Sequence, residues 1–260
     1  MRTFRLIGMA LLAIALCVNF ASCSSDDDEE PTKNDDGVVT NQKRLTQIKM
    51  VDDDGTSTWN FSYDSKGRLV FKKGGVTDDT NYTWGNNVIM ADDNNSTRTY
   101  TLSNNLVKSI SDTDDNDWSN ATFTYNSNNQ LAKVEDDTHT EIYTWQGERI
   151  TKITSTYQYG EKYIDEFTYS GKTCKGYFPL YSPSDNDEIF YVHPELIGLR
   201  CSQLPDQVSS KSDNYEETEQ YTYTFDKDGY VESCTEVYTY KRLDSNETRT
   251  ETRIFTFTWE

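Results

Sequence analysis

The sequence predicts an all-β chain, an antiparallel up-and-down meander that forms a barrel or a strongly curled sheet. Three observations carry that prediction. Short segments alternate aromatic or β-branched residues with Thr and Ser. In Ile254-Phe255-Thr256-Phe257-Thr258-Trp259, for example, Phe255, Phe257 and Trp259 share one face while the threonines take the other. Gly, Asn and Asp clusters (DSKG, GNN, SNN, NSNN, DKDG) punctuate these segments and supply the residues that tolerate positive φ in tight hairpins. The unit also recurs: its first aromatic falls at Phe61, Tyr82, Tyr100, Phe123, Tyr143 and Phe167, and later at Tyr223 and Phe257. Self-similarity at a short period marks a repeat architecture.

Taken in order, residues 1–22 form a signal peptide. Arg2 and Arg5 precede an apolar run from Leu6 to Phe20, shorter than the roughly 20 residues a membrane span needs. The run ends in Phe20-Ala21-Ser22-Cys23, small residues before a cysteine, which resembles a bacterial lipobox with Cys23 as the lipidated residue. The competing reading is an ordinary secretory cleavage that leaves Cys23 as a free thiol. Residues 23–42 follow as an acidic tether opening on Ser24-Ser25-Asp26-Asp27-Asp28-Glu29-Glu30. The stretch has too little apolar surface to order itself, and the acidic run resembles an export signal for lipoproteins of the outer cell surface.

Residues 43–260 make one β domain. About twelve short strands fill 43–173, their tight turns at one end and acidic loops (VDDDGTS, ADDNNS, SDTDDND, VEDDTHT) at the other. Residues 174–214 break this grammar with four of the chain's five prolines, at 179, 183, 194 and 205. Proline is excluded from central strands and suits a first helical turn, so a short helix is expected at Pro194–Leu199, within a helix or loop insertion near 179–210. The insertion either links strands or shapes a ligand mouth. Three or four longer strands follow from about 215. Sheets beyond about ten strands curl or split, and closure removes exposed edges. A membrane-spanning barrel is disfavoured. The early strands run six to eight residues, against the roughly 9–11 needed, and Thr, Ser, Lys and Glu are expected on the outer face where lipid requires an apolar band.

The leader with its cysteine, the unit Tyr63-Asp64-Ser65-Lys66-Gly67-Arg68-Leu69 and the segment His193-Pro194-Glu195-Leu196 together resemble a Bacteroidetes lipoprotein family of unknown function described as porin-like in fold. The units are also similar, more loosely, to the YD repeats of secreted toxin shells. The resemblance spans residues 43–260 and implies an outer-membrane lipoprotein facing the extracellular side. It carries no assigned reaction and hence no catalytic residue.

The net charge of −19 becomes −21 once the two leader arginines are removed. Such a surface repels phosphate backbones and anionic headgroups, which argues against nucleic acid as a partner and leaves the acyl anchor as the only membrane attachment. Cys174, Cys201 and Cys234 remain after the anchor; Cys174 and Cys201 flank the insertion and are the candidate disulfide, with three unpaired thiols as the alternative. There are two histidines, His139 and His193, and no His-x-x-x-His, Cys-x-x-Cys, Gly-x-Ser-x-Gly or glycine-rich phosphate loop. Asp112, Asp114 and Asn116 open like a calcium loop, but Asp117 and Phe123 stand where Gly and Glu belong. No metal or cofactor is implied. Trp118, Tyr181 and Tyr191 lie in or beside loops and are the candidates for stacking on a ligand. The functional expectation is a non-enzymatic binding or structural lipoprotein whose ligand is an extracellular glycan or protein. The alternative is a carboxylate-dependent glycan hydrolase with its site at the barrel mouth.

Overall fold

Three of the tight turns are each built by one polar side chain bonding the backbone ahead of it. Asp64 Oδ1 accepts from the N–H groups of Lys66 and Arg68, Asn126 Oδ1 from those of Asn128 and Gln130, and Asp226 Oδ1 from those of Asp228 and Tyr230. These are Asx turns, and each closes on a left-handed residue: Gly67 (φ 81°), Asn129 (φ 59°) and Gly229 (φ 89°). Identical local chemistry at separate positions is what makes the sequence repeat a structural repeat.

The computed structural model describes residues 42–75, 78–93, 95–113, 120–177, 188–199, 201–245 and 247–260. The expected signal peptide, nearly all of the tether, Cys23, Trp118 and Tyr181 lie outside them. The strands are β1 (Leu45–Asp52), β2 (Gly55–Tyr63), β3 (Leu69–Gly74), β4 (Thr80–Gly85), β5 (Val88–Asp92), β6 (Thr97–Ser103), β7 (Leu106–Asp112) and β8 (Asn120–Tyr125). They continue with β9 (Leu131–Glu135), β10 (His139–Gln146), β11 (Arg149–Tyr157), β12 (Lys162–Thr168), β13 (Gln207–Lys211), β14 (Tyr215–Phe225), β15 (Val231–Arg242) and β16 (Thr248–Trp259). All pair antiparallel with their chain neighbours, and β16 returns to β1, closing the barrel. The expected all-β meander is therefore a closed barrel of sixteen strands.

One strand was hidden by its composition. β13 lies inside the 174–214 segment expected to be free of strands, and it pairs with both β12 and β14. Its sequence, QVSSK, offers one apolar residue, Val208, so neither period nor β-branched content announces it.

The open end of nearly every hairpin is pinned in the same way. An aromatic at or near the end of an even-numbered strand donates to a carbonyl at or near the start of the strand before it. The pairs are Tyr63 to Leu45, Trp84 to Leu69, Tyr125 to Val107 and Trp145 to Leu131. Tyr169 to Ile150, Tyr223 to Pro205 and Trp259 to Val231 continue the series at 2.7–2.8 Å. The accepting residues Leu45, Leu69, Val107, Leu131, Ile150 and Val231 are all buried. Each aromatic thus buries its ring and satisfies its polar atom at once. Leu102, near the end of β6, is the departure, since it has no side-chain donor.

The insertion enters the barrel at this same end. A single helical turn, α1 (Ile189–Val192), and a 3-10 turn at Pro194–Ile197 carry Ile189, Phe190 and Ile197, each at most 1% exposed. The expected short helix at Pro194–Leu199 is thus a 3-10 turn preceded by one α turn. Phe190 meets Tyr100 and Phe123 edge to face, with ring centres 5.8 and 6.4 Å apart. His193 sits edge-on to Trp84, and its Nε2 accepts from the N–H of Leu69 at 3.1 Å. Gly198 (φ 64°) approaches Asn129 so closely that a Cβ would lie 2.2 Å from its carbonyl oxygen. A buried ion pair joins plug and wall: Lys72 Nζ on β3 lies 3.4 Å from Glu188 just before α1, with side chains 0% and 4% exposed.

Breaking one partner of a buried pair costs far more than replacing both with apolar groups. Lys72→Met is expected to destabilise the barrel by about 3–5 kcal/mol in denaturant unfolding. Adding Glu188→Leu should recover most of that loss; a double variant as unstable as the single one would show that the pair does not act as a unit.

Candidate functional site

Strand parity puts two different chemistries on the inner wall. On β1 to β9 the inward positions are apolar apart from Lys72 and Thr80, with Ile48, Trp59, Phe61, Tyr82, Ile89, Tyr100, Ile110 and Phe123 in one core cluster with the plug. On β10 to β16 the same parity becomes polar toward the end that bears the acidic loops. The inward series is Tyr223, Tyr221, Glu219, Glu217 and Tyr215 on β14, and Cys234, Glu236, Tyr238 and Tyr240 on β15. On β16 it is Phe257, Phe255, Arg253, Glu251 and Arg249. Glutamates were expected on the outer face with the threonines; Glu166 and Glu216 take that face, whereas Glu217, Glu219, Glu236 and Glu251 line the inside.

Register assembles these side chains across strands distant in sequence. Asp165 on β12 opposes Ser210 on β13, Ser210 opposes Glu217 on β14, Glu217 opposes Tyr240 on β15, and Tyr240 opposes Arg249 on β16. The neighbouring row runs Val208, Glu219, Tyr238, Glu251. Rings also succeed one another from His139 to Tyr157, Tyr163, Tyr215 and Tyr240, with centres 5.3–5.6 Å apart.

Burial and mutual repulsion set the electrostatics. Burial, followed by the nearby charges of Glu141, Glu219 and Glu217, pushes the Asp165 carboxyl up to about 6 against the pull of Ser210. Burial and the charge of Glu219 push Glu236 up to about 7, although Arg253 bonds it at 3.1 Å. Burial, aided by the carboxylate of Glu219, raises Tyr221 well above the ordinary phenol range. At the edge of this wall, His139 has a fully buried side chain with Nδ1 2.6 Å from Asp136. Burial opposes its charge, but Glu141 and Asp136 together raise its pKa. Carboxylates held against one another in a half-dry wall cost stability. Such costs gather where a side chain serves a ligand rather than the fold.

The wall opens into a hollow of about 340 Å3 between β15 and β16, lined by Tyr238, Tyr240, Arg242, Glu247, Arg249 and Glu251. Arg242 is bidentate to Asp244, and Arg249 is held by Glu247. Glu251 lies 3.5 Å from Arg253. The rings and forked charged groups here can stack against and hydrogen-bond a small polar molecule. Among the described residues, no group of three or more His, Cys, Asp or Glu side chains is placed to hold a metal ion.

The residues singled out from sequence do not meet here. Tyr191 lies on α1, half-buried against the core. Cys174, Cys201 and Cys234 are free thiols, although the Cys174 N–H donates to Ser202 and so brings the first two into one neighbourhood. Burial raises the Cys174 thiol to about 11 and the Cys201 thiol to about 12, so both are inert nucleophiles. Sequence reasoning missed Glu141, Asp165, Glu217, Glu219 and Glu236. A signal existed in Glu217-Thr218-Glu219-Gln220-Tyr221-Thr222-Tyr223, where glutamates keep the parity of the tyrosines rather than that of the threonines.

No protein-family model and no curated protein matches the chain. Among solved structures, a porin-like protein from Bacteroides uniformis is similar. It is 21% identical, with a TM-score of 0.65 over 83% of this chain and 98% of the other. That likeness supports the porin-like barrel fold.

A carboxyl raised in the fold favours the protonated folded state. Its contribution is therefore greatest below its ordinary value of 3.8 and is lost as pH climbs through about 6. Asp165→Asn is expected to stabilise the barrel by about 1–2 kcal/mol at pH 8, after discounting for partial exposure. That gain should shrink as pH falls toward 4. Equal gains at both pH values in thermal melts would refute the assigned cause.

Proposed function

We propose that the protein is a lipid-anchored, non-enzymatic binding barrel of the outer membrane, held on the extracellular side, with its ligand at the polar mouth of the lumen. One observation carries this reading: the inner wall of β10–β16 is built of tyrosines and mutually repelling carboxylates where an apolar core would be more stable, and it opens into a hollow.

Two further features support it. The chain joins the barrel at the plugged end, where Arg44 exchanges backbone hydrogen bonds with Glu260 and Lys43 pairs with Asp226 and Asp228. The polar mouth lies at the opposite end, with Asp53, Asp93 and Asp136 in its loops. The point at which the chain enters the barrel thus leaves the mouth free. The outer wall is also rich in threonine, with Thr218, Thr239 and Thr250 side by side across β14, β15 and β16. A hydroxylated surface suits water rather than lipid, so acyl chains at Cys23 would supply the attachment. The hydrolase alternative gains nothing from the hollow, where Glu247 and Glu251 are each tied to an arginine. A glycan is the favoured ligand class.

Cys23→Ala should move the protein from the membrane fraction to the soluble fraction, while the parent is released only by detergent. Protease added to intact cells should cleave the parent. A Cys23→Ala protein that sediments as firmly as the parent would sink the anchoring reading, and protection of the parent from protease would sink the outward orientation.

A further inference from the structure

Resting on the reading of the mouth as a binding site, we infer that the hollow between β15 and β16 is a subsite for an uncharged saccharide one or two residues long. Its volume of about 340 Å3 lies at the lower end of the 300–1,000 Å3 that small-ligand sites occupy. The choice of an uncharged ligand comes from charge balance. Arg242 and Arg249 offset Glu247 and Glu251, so the lining is neutral in a chain whose net charge is −19. Each charge is also answered locally. Arg242 binds both oxygens of Asp244 at 3.0 and 2.9 Å, Arg249 holds one oxygen of Glu247 at the same distances, and Glu251 lies 3.5 Å from Arg253. An anionic ligand would meet acidic loops at this end and two lining arginines that are each already paired with a carboxylate. A cationic ligand would have to displace a guanidinium from its carboxylate.

What remains on offer is hydrogen bonding. The side chains stay open to water, with Arg249 70% and Glu251 51% exposed. A guanidinium has five donors and a carboxylate about four acceptor sites, so each keeps capacity toward the hollow after pairing. Adjacent hydroxyls of a sugar, each both donor and acceptor, fit alternating forks of the two kinds. Tyr240, opposite Arg249, and Tyr238, opposite Glu251, add ring surface for the apolar C–H face of a pyranose.

The test is calorimetric titration of the full mature chain in detergent with five trisaccharides. Maltotriose, cellotriose and xylotriose are neutral, trigalacturonate is anionic and the glucosamine trimer is basic. At least one neutral sugar should bind saturably, with affinity changing less than twofold between 50 and 500 mM NaCl. Tyr240→Ala and Arg249→Gln should each weaken it at least tenfold, and Thr252→Ala on the outer face should leave it unchanged, with circular dichroism confirming that all three variants fold. Binding of only a charged trisaccharide, or neutral binding indifferent to both inner substitutions, would overturn the assignment while leaving the binding role in place. Silence across all five would overturn both.

Discussion

A closed barrel of short strands depends on how its hairpins are held at their open ends. Within one hairpin the acidic loop joins two strands at one end only, and at the other the strands would splay with their twist. The aromatic donors from Tyr63 to Trp259 answer this by reaching back to a buried carbonyl on the strand before. One side chain thereby fills the inner layer, satisfies its own polar atom and fixes the register of its pair. A one-residue slip would carry every such donor to the outer face. The repeat in sequence and the closure of the ring are two views of this contact.

With that end of the ring set, the insertion has a defined place to enter. The core is completed by a segment between β12 and β13, and Phe190 and Ile197 supply apolar volume that the inward positions of β1–β9 leave unfilled. The Lys72–Glu188 pair is a weak source of net stability, because both charges lose water. Its effect is to set where α1 sits against β3. The plug fills the apolar half of the lumen and leaves the polar half to β10–β16, so the division of the lumen follows from where one loop interrupts the meander.

The polar half carries the functional argument because it runs against stability. Asp165 and Glu236 are less acidic than their exposed counterparts, chiefly because burial disfavours their charge. Several tyrosines nearby are made less acidic for the same reason, Tyr221 among them. An interior under selection for stability alone would replace these groups by Leu or Val, as the opposite wall does. Tyr221 and Glu236 lie on strands longer than the rest, β14 at 11 residues and β15 at 12, which with β16, also 12, extend a wet chamber beyond the packed layer.

Alternation and turn chemistry were legible in the chain itself. Period-two patterning such as Phe255-Thr256-Phe257-Thr258-Trp259 and the turn residues at Asp64, Asn126 and Asp226 are local properties, complete within a few residues, and they foretold an antiparallel meander of about twelve short strands and three or four longer ones, where the barrel has sixteen. The exception, Gln207–Lys211, has no apolar period and is a strand only because β12 and β14 flank it. Three matters belonged to the tertiary structure: the burial of glutamates among the inward tyrosines of β14 and β15, the meeting of Asp165 with Glu217 across β13, and the charge balance of the hollow. Parity divides a strand into two faces without ranking them. Only closure of the ring decides which face loses water and which distant side chains must share it.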